Sequence, residues 1–508
     1  MFNLNYLSYE LHYILIMIVK NHFSDYSKCI GLYIISTLLF VFAMFTNENF
    51  AHYQNEVIFI GLCFILGMIV LYYSYKHKME LNKIALIIIL VFGLLLIFFT
   101  PPFSYIDEAA HYSRAELISE GSLYPEITDK GVFVNDYFFS FQDSYHGTTI
   151  LSENSYNNPI TDHKDYWPST TENPFYPYLL SGFGILIAKL LNLTAIWALY
   201  FSRIANLLFY GVTAYFMIKI IPKYKLHLLV FSTIPLCISQ VSYSTYDAFI
   251  LTFTLIILTY FIKMYLGEVD RKNLAVFLIS ILLVSLIKQP YVLLTLLILV
   301  VPFKDDKLKK YSIIVVIIMF VLTLLSVSSI LTLFMAPTVT TTTVGLITNI
   351  SAVGQTRFIA SNPFIILTLI KDMIISIPYI FLLKSNFFHY TGYKGVKLVN
   401  FISILFFILF SLFYRLDINL NKKERRILGL ICVLVYVGIN IILYLIGTPV
   451  GYGVILGVQA RYFLPVIGLL PLIINTKYKI IENKEIYIFT MIIICLTGLF
   501  MLPVTHFY

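Results

Sequence analysis

Two adjacent carboxylates stand at the start of a segment with helical character. Asp107 and Glu108 follow a proline pair, His111 follows Asp107 by four residues, and Arg114 follows His111 by three. In a helix these spacings place Asp107, His111 and Arg114 on one face, where an acid, an imidazole and a guanidinium can address one substrate. A carboxylate held beside a sugar hydroxyl can act as its base. The alternative is that Asp107 only caps the helix and Arg114 only neutralises it.

A third carboxylate, that of Asp247, ends a polar turn between two apolar stretches. The turn runs from Gln240 through serine, threonine and tyrosine residues to Asp247. Ionisable groups near hydrocarbon are costly and are therefore candidates for function. Asp247 can instead be the N-cap of the helix that follows it. Arg203, in the preceding apolar stretch, either pairs with a carboxylate such as Asp247 or reaches lipid headgroups.

Basic residues recur where the expected topology depletes positive charge. They are Lys288, Arg357, Lys371 and Arg461, and the last of them is flanked by Gln459 and Tyr462. Phosphate binding explains such residues, because arginine and lysine hold phosphate through charge-assisted hydrogen bonds. Snorkelling to lipid headgroups is the alternative, and it fits Lys371 better than Arg461.

The elements that must position these residues are membrane helices. Hydrophobic residues make up 59% of the 508-residue chain and charged residues only 12%, against about a quarter charged in soluble domains. Apolar stretches long enough to cross roughly 30 Å of hydrocarbon recur along the chain, and each is expected to be a helix because lipid offers no partner to an unpaired backbone. We expect an all-α protein with about 13 spans: 29–46, 57–75, 84–100, 196–218, 226–242, 247–264, 273–287, 290–303, 313–335, 398–414, 426–446, 462–476 and 485–502.

Cysteine and charge usage argue against two other classes of protein. The five cysteines have neither CxxC nor metal-ligand spacing, which argues against a disulfide framework or a zinc site. The net charge of +8 is concentrated in short loops. It therefore indicates membrane topology and not nucleic-acid binding.

The positive-inside rule orients the chain. The basic loops at residues 76–83, 304–310 and 415–426 are expected in the cytoplasm. Residues 101–177 carry twelve acidic residues against three basic ones, and a loop of this length is commonly functional. We expect this loop to be external and to contain a helix over residues 109–120. Its aromatic residues can stack on sugar rings or form an interfacial belt: Tyr166, Trp167, Tyr176 and Tyr178.

This topology predicts four regions. Residues 1–83 form an N-terminal interfacial helix and two extra spans, residues 84–100 the first core span, residues 101–177 the external loop, and residues 178–508 the remaining membrane core. Residues 1–20 show no small-residue cleavage site, so we do not interpret them as a cleaved signal peptide. Residues 355–384 hold Lys371 in their middle, which predicts helices along the outer surface and not a span.

Four segments, taken in order, resemble a known family. They are the Pro101 to Arg114 stretch, the run from Asn173 to Tyr178 leading to Arg203, the serine-rich turn ending at Asp247, and the run from Gly457 to Pro465 that holds Gln459, Arg461 and Tyr462. The run from Lys288 to Tyr291 and residues 355–363 add to the pattern. Together they resemble a bacterial multi-pass membrane family of unknown function that is related to the GT-C superfamily of glycosyltransferases. The resemblance covers about residues 84–474. It departs from the family at Ala460, where glycine is common, and before Asp107, where the usual lead is richer in proline.

The resemblance implies a GT-C-like fold and an inverting glycosyltransferase at the outer face of the bacterial plasma membrane. Asp107, with Glu108 beside it, would be the catalytic carboxylate, and Asp247 would help bind the acceptor or a metal. The donor would be a polyprenyl-phosphate-linked sugar and the acceptor an envelope glycan or lipid, while a divalent metal at Asp107 and Asp247 stays open. The candidate substrate-binding residues are His111, Arg114, Asp247, Lys288, Arg357, Gln459, Arg461 and Tyr462.

Two other functions stay open from the sequence. A transporter or flippase of lipid-linked glycan would show inverted repeats and broken helices with charges at the bilayer midplane, and neither is clear in the sequence. A non-catalytic envelope assembly protein would use the acidic loop only as a docking surface.

Overall fold

The computed structural model describes residues 25–45, 53–77, 79–105, 107–126, 132–143, 159–160, 163–167, 173–326, 339–343, 346–378, 394–476 and 485–507. Within these residues helices dominate. The strands form two short antiparallel pairs, Val132–Asn135 with Lys164–Trp167 and Val339–Thr343 with Leu346–Ile350. The interfacial helix expected at residues 1–20 lies outside the described residues.

Eight of the described helices are long and apolar enough to cross a membrane. They are Asp25–Phe45, Tyr53–Lys76, Leu81–Phe99, Ala195–Ile220, Asp247–Tyr265, Asp306–Ser326, Lys422–Ile446 and Glu485–Phe507. A ninth crossing arises if Ala352–Ser361 and Ile365–Pro378, which meet at 113°, form one broken span. Large apolar side chains such as Leu38, Phe42 and Leu324 are exposed on these helices. Because soluble proteins rarely expose apolar surface on this scale, the protein is a membrane protein with several apolar helices.

Five of the expected spans correspond to shorter or interrupted helices, so thirteen crossings are not established. Two expected spans are interrupted: residues 226–242 correspond to Lys225–Thr233 and Pro235–Val241, and residues 462–476 to Ala460–Phe463, Leu464–Ile467 and Leu470–Ile474. The other three correspond to single helices: residues 273–287 to Arg271–Ile287, residues 290–303 to the 3₁₀ helix Gln289–Val300, and residues 398–414 to Lys394–Phe413. Proline explains the break between Lys225–Thr233 and Pro235–Val241, because it lacks an N–H and holds the preceding residue extended. Ile234, directly before Pro235, has ψ of 145°.

The C-terminal helix Glu485–Phe507 is buried along nearly its whole length. It packs against Asp25–Phe45, Tyr53–Lys76 and Leu81–Phe99. The hydroxyl groups of Tyr33 and Thr497 lie 2.9 Å apart in this contact. The two N-terminal helices, which precede the segments that carry the family resemblance, therefore share a core with the last helix of the chain.

Residues 101–177 contain the helix that the sequence predicts. It spans Glu108–Ser119, one residue earlier than expected, and is called the loop helix below. The loop helix packs against Leu179–Leu190. Its Glu116 Oε1 accepts hydrogen bonds from Lys189 Nζ at 3.0 Å and from Asn135 Nδ2 at 2.5 Å. These contacts tie the strand pair of the loop to the helical core.

Residues 355–384 are partly described. Ala352–Ser361 and Ile365–Pro378 are helices, and the second has many exposed apolar side chains, including Leu367, Ile370 and Ile374. Asp372 Oδ2 accepts a hydrogen bond from the backbone N–H of Ile455 at 3.0 Å. Residues 379–384 lie outside the described residues.

Candidate functional site

Asp107 occupies the turn that starts the loop helix. Its φ of 66° lies in the left-handed region, which costs energy for a residue with a side chain but is visited by aspartate more readily than by most. It holds the N-cap position without a side-chain capping bond, so its carboxylate is not used by the helix. The side chain is 48% exposed. An exposed, uncapped carboxylate held by a strained backbone is a candidate for function and not for helix stability.

Arg461 joins the two carboxylates that the sequence singles out. Its Nη2 donates to Asp107 Oδ2 at 2.6 Å, and its Nη1 lies 3.1 Å from Asp247 Oδ2. Arg461 comes from the 3₁₀ turn Ala460–Phe463, and Asp247 from the start of Asp247–Tyr265. The guanidinium is buried, yet its Nε and Nη1 make no hydrogen bond. Three segments far apart in sequence thus meet at one ion-pair cluster, called the Arg461 cluster below.

Lys288 lies beside the Arg461 cluster. Its Nζ is shielded from solvent, has no hydrogen-bond partner, and sits 2.9 Å from the ring centroid of Tyr462 and 5.5 Å from that of Tyr246. Burial lowers the pKa of the Lys288 amine to about 7, although Asp247 acts in the opposite direction. The Tyr462 backbone is held in turn, because its carbonyl accepts a hydrogen bond from the Tyr291 hydroxyl at 2.9 Å.

His111 faces the same region from the loop helix. Its Nδ1 lies 2.8 Å from the Tyr178 hydroxyl, and its ring meets the Tyr246 ring edge to face at 4.5 Å. Burial lowers the pKa of His111 to about 4. The imidazole is therefore neutral near pH 7, and it can donate or accept one hydrogen bond but carries no charge.

Glu108 is fully buried in a different arrangement. Its two carboxylate oxygens accept bonds from Arg203 Nε at 2.8 Å and Nη2 at 2.7 Å, and Oε1 also accepts from the Ser244 N–H at 3.0 Å. Arg203 further donates to the carbonyl groups of Ile97, Thr100 and Pro101. We call this set the Arg203 clamp. Arg203 therefore pairs with a carboxylate, which is one of the two alternatives that the sequence left open, but this carboxylate is Glu108 and not Asp247.

The Arg203 clamp fixes the geometry of the Arg461 cluster. Arg203 belongs to Ala195–Ile220, and it contacts the end of Leu81–Phe99 and Glu108 at the start of the loop helix. Glu108 in turn contacts the serine-rich turn through Ser244. Asp107 is adjacent to Glu108, and Asp247 ends the turn that contains Ser244. An arginine inside an apolar span needs a buried partner, but this signal does not identify Glu108 as that partner.

A stack of aromatic rings lies under Arg461 and is not evident from the sequence. The rings of Tyr105 and Tyr243 are 4.1 Å apart and nearly parallel, and the Tyr105 hydroxyl accepts a hydrogen bond from Gln240 Nε2. The Arg461 guanidinium lies 5.8 Å from the Tyr105 ring centroid. The aromatic faces support the cation and exclude water from one side of it.

The other predicted site residues are not members of the Arg461 cluster. Arg114 Nη2 donates to the Leu123 carbonyl at 2.7 Å, so this side chain holds the end of the loop helix. Arg357 and Lys371 are exposed, and no described ion pair joins either of them to the Arg461 cluster. Gln459 precedes Arg461 by two residues, and its shielded Oε1 has no hydrogen-bond partner.

The described residues do not form a metal site made by protein alone. They contain no group of three or more histidine, cysteine, aspartate or glutamate residues placed to hold a metal ion. Asp107 and Asp247 share Arg461 as their counter-charge.

Comparison with known proteins gives one match. A family model described as "Predicted membrane protein (DUF2142)" matches residues 90–470, which is well over half of the chain. The matched residues contain every residue of the Arg461 cluster and of the Arg203 clamp. No curated protein and no solved structure matches the chain.

Proposed function

We propose that this chain, which belongs to the DUF2142 family of predicted membrane proteins, is a membrane glycosyltransferase. It moves a sugar from a polyprenyl-phosphate donor to an envelope glycan or lipid acceptor at the outer face of a bacterial plasma membrane. Residues 101–177 form the external loop in this proposal, and the fold is GT-C-like. The observation that carries the proposal is the Arg461 cluster, in which a half-exposed carboxylate and a buried cation meet beside the amine of Lys288, which has no hydrogen-bond partner among the described residues.

Asp107 is the residue that activates the acceptor. Its exposed oxygen can take the proton of an acceptor hydroxyl. The acceptor oxygen then bonds to the anomeric carbon of the sugar while the bond from that carbon to the phosphate oxygen breaks. Attack from the face opposite the leaving phosphate inverts the configuration at this carbon. The phosphate leaves already ionised, so no general acid is needed.

Arg461 and Lys288 hold the leaving phosphate. The unused donors of Arg461 and the unpaired Lys288 amine are the groups that charge-assisted hydrogen bonds to phosphate require. Negative charge grows on the phosphate as the bond breaks, and cations already in place stabilise that charge without rearranging. A phosphate at Arg461 also competes with Asp107 for the guanidinium, which frees the carboxylate for the acceptor.

The remaining site residues take supporting roles in this proposal. Both oxygens of Glu108 are committed to Arg203, so Glu108 positions Asp107 and does not itself take the proton. Asp247 holds Arg461, His111 offers a neutral hydrogen bond, and Tyr462 with Gln459 lines the approach to Arg461. Arg357 has no assigned role, because no contact joins it to the cluster.

The substitution Asp107→Asn tests the proposal. It removes the base while keeping the shape of the side chain, and a general base contributes about 10²- to 10⁴-fold to a rate. In cells, Asp107→Asn should abolish modification of the envelope glycan while the protein level and the pool of lipid-linked donor stay unchanged. Glu126→Gln is the matched control, since Glu126 is an exposed carboxylate of the same loop segment.

Two results would reject glycosyl transfer. Accumulation of donor on the inner leaflet in the Asp107→Asn cells would indicate a transporter or flippase. Full glycan modification by Asp107→Asn, with normal protein level, would remove the catalytic role of Asp107 and favour a non-catalytic assembly function.

A further inference from the structure

The Lys288 amine is a buried base without an ion-pair partner among the described residues. It lies at the break between Arg271–Ile287 and the 3₁₀ helix Gln289–Val300, where Pro290 prevents the first helix from continuing. Among the described residues, no carboxylate lies within 4 Å of its Nζ, and no atom accepts a hydrogen bond from it. A buried ammonium without a partner is strongly disfavoured. Burial without a partner therefore favours the neutral amine.

The charges that face Lys288 come from separate segments. Asp247, Arg461 and Asp107 act on it electrostatically, and neutral His111 and the rings of Tyr246 and Tyr462 complete its surroundings. The two carboxylates are both paired with Arg461. Neither makes an ion pair with Lys288 among the described residues, whereas an arriving anion can contact its amine directly.

We propose that a phosphate monoester anion binds between Lys288 and Arg461 and that its arrival places a proton from solvent on the Lys288 amine. Binding of the anion is thereby coupled to uptake of one proton. This inference rests on the donor site of the proposed function, and it adds that Lys288 is neutral before the phosphate binds and an ammonium afterwards.

The size and sign of the effect follow from the pKa. Burial lowers the pKa of free Lys288 to about 7, so at pH 8 the amine is roughly 0.9 neutral. A phosphate in contact raises the pKa of Lys288, because an opposite charge favours the protonated form. A phosphate monoester has its second pKa near 6 and is already a dianion at pH 8. Uptake should therefore approach about 0.9 proton per ligand, and affinity should fall by up to about tenfold per pH unit above pH 7 until the pKa of the bound form is reached.

Isothermal titration calorimetry of the full-length protein in detergent measures this proton directly. Farnesyl phosphate is titrated at pH 8 in two buffers with different ionisation enthalpies, and the difference in heat gives the protons taken up. The native protein should take up about 0.9 proton per ligand. Lys288→Arg, which stays charged, should bind with uptake near zero, and Lys288→Met should bind more weakly, also without uptake.

Controls separate the other sources of a proton. His111→Asn should leave the uptake unchanged, because the neutral imidazole is not its site. Titration with inorganic phosphate and with farnesol identifies which part of the ligand is recognised. If inorganic phosphate binds with the same proton uptake, the phosphate group alone is recognised. If farnesyl phosphate binds and inorganic phosphate does not, the ligand is a lipid-linked phosphate. Thermal unfolding confirms that each variant is folded.

Three results would overturn the inference: native uptake near zero, uptake that persists in folded Lys288→Arg, or no binding of either phosphate. Failure of the proposed function is distinguishable from these. If farnesyl phosphate binds with proton uptake at Lys288 but no sugar transfer is found, the anion site stands and the glycosyltransferase does not. If sugar transfer occurs without proton uptake, the reverse holds.

Discussion

Arg203→Met should destabilise the protein more than any exposed charge substitution. Arg203 and Glu108 are both fully buried and joined by two hydrogen bonds of 2.8 and 2.7 Å. Removal of one partner of a buried ion pair leaves an uncompensated charge, which costs about 3–5 kcal/mol. The variant also leaves the carbonyl groups of Ile97, Thr100 and Pro101 without the donor that Arg203 supplies.

The double variant Glu108→Gln with Arg203→Met separates the two contributions. It removes both charges, so it should recover part of the loss and retain about 1–3 kcal/mol of destabilisation from the carbonyl groups. Lys263→Met is the control for a partly exposed pair, since Lys263 contacts Glu268 at 3.1 Å and the glutamate side chain is 50% exposed. Such pairs contribute roughly 0–1 kcal/mol.

Equilibrium unfolding in mixed micelles with increasing SDS gives the free energies of unfolding for these variants. Arg203→Met should lose several times more than Lys263→Met, and the double variant should lie between them. If folded Arg203→Met unfolds within about 1 kcal/mol of the native protein, then the Arg203 clamp does not carry the stability that burial of an ion pair implies. A double variant less stable than Arg203→Met would also contradict it, because the buried charge would then not be the cause.

Two further predictions concern His111 and Gly184. Burial lowers the pKa of His111 to about 4 from its ordinary 6.5. Between these two pH values the unfolded chain therefore binds more protons than the folded protein. The stability that His111 contributes is present above pH 6.5 and is lost as the pH falls toward 4, by roughly 3 kcal/mol in all. Unfolding measured from pH 7 to pH 4 should show a smaller loss for His111→Asn, and an equal loss in both proteins would contradict the lowered pKa. Gly184→Ala should fail to fold or lose at least about 1–3 kcal/mol, because its Cβ would meet the Phe201 carbonyl oxygen at a distance that no backbone tolerates without moving. Gly429→Ala, with nothing within 4 Å, should be nearly neutral in the same unfolding measurement.

Hydrophobic patterning predicts the membrane class, the eight long helices and the loop helix, because those signals are local. Helix interruptions are harder to predict from it: residues 226–242 have the composition of a span, but the structure breaks them at Pro235. The predicted group of Asp107, Asp247 and Arg461 meets in space. The partner of Glu108 could not be predicted from spacing, since Arg203 lies 95 residues away and its choice of carboxylate depends on packing. The left-handed conformation of Asp107 was likewise not predicted from the sequence.

The two buried arginines, Arg203 and Arg461, differ in how many of their N–H donors make hydrogen bonds. This difference distinguishes an arginine that supports the fold from one that is available to a ligand. Arg203 has all of its nitrogens engaged by Glu108 and three backbone carbonyl groups. Arg461 donates to Asp107, and its Nη1 lies 3.1 Å from Asp247 Oδ2 without hydrogen-bond geometry, while its Nε has no hydrogen-bond partner among the described residues. Unmade hydrogen bonds on a buried cation cost free energy that a stability role does not explain. A phosphate would use these donors, which is why we assign the ligand to Arg461 and the scaffold to Arg203.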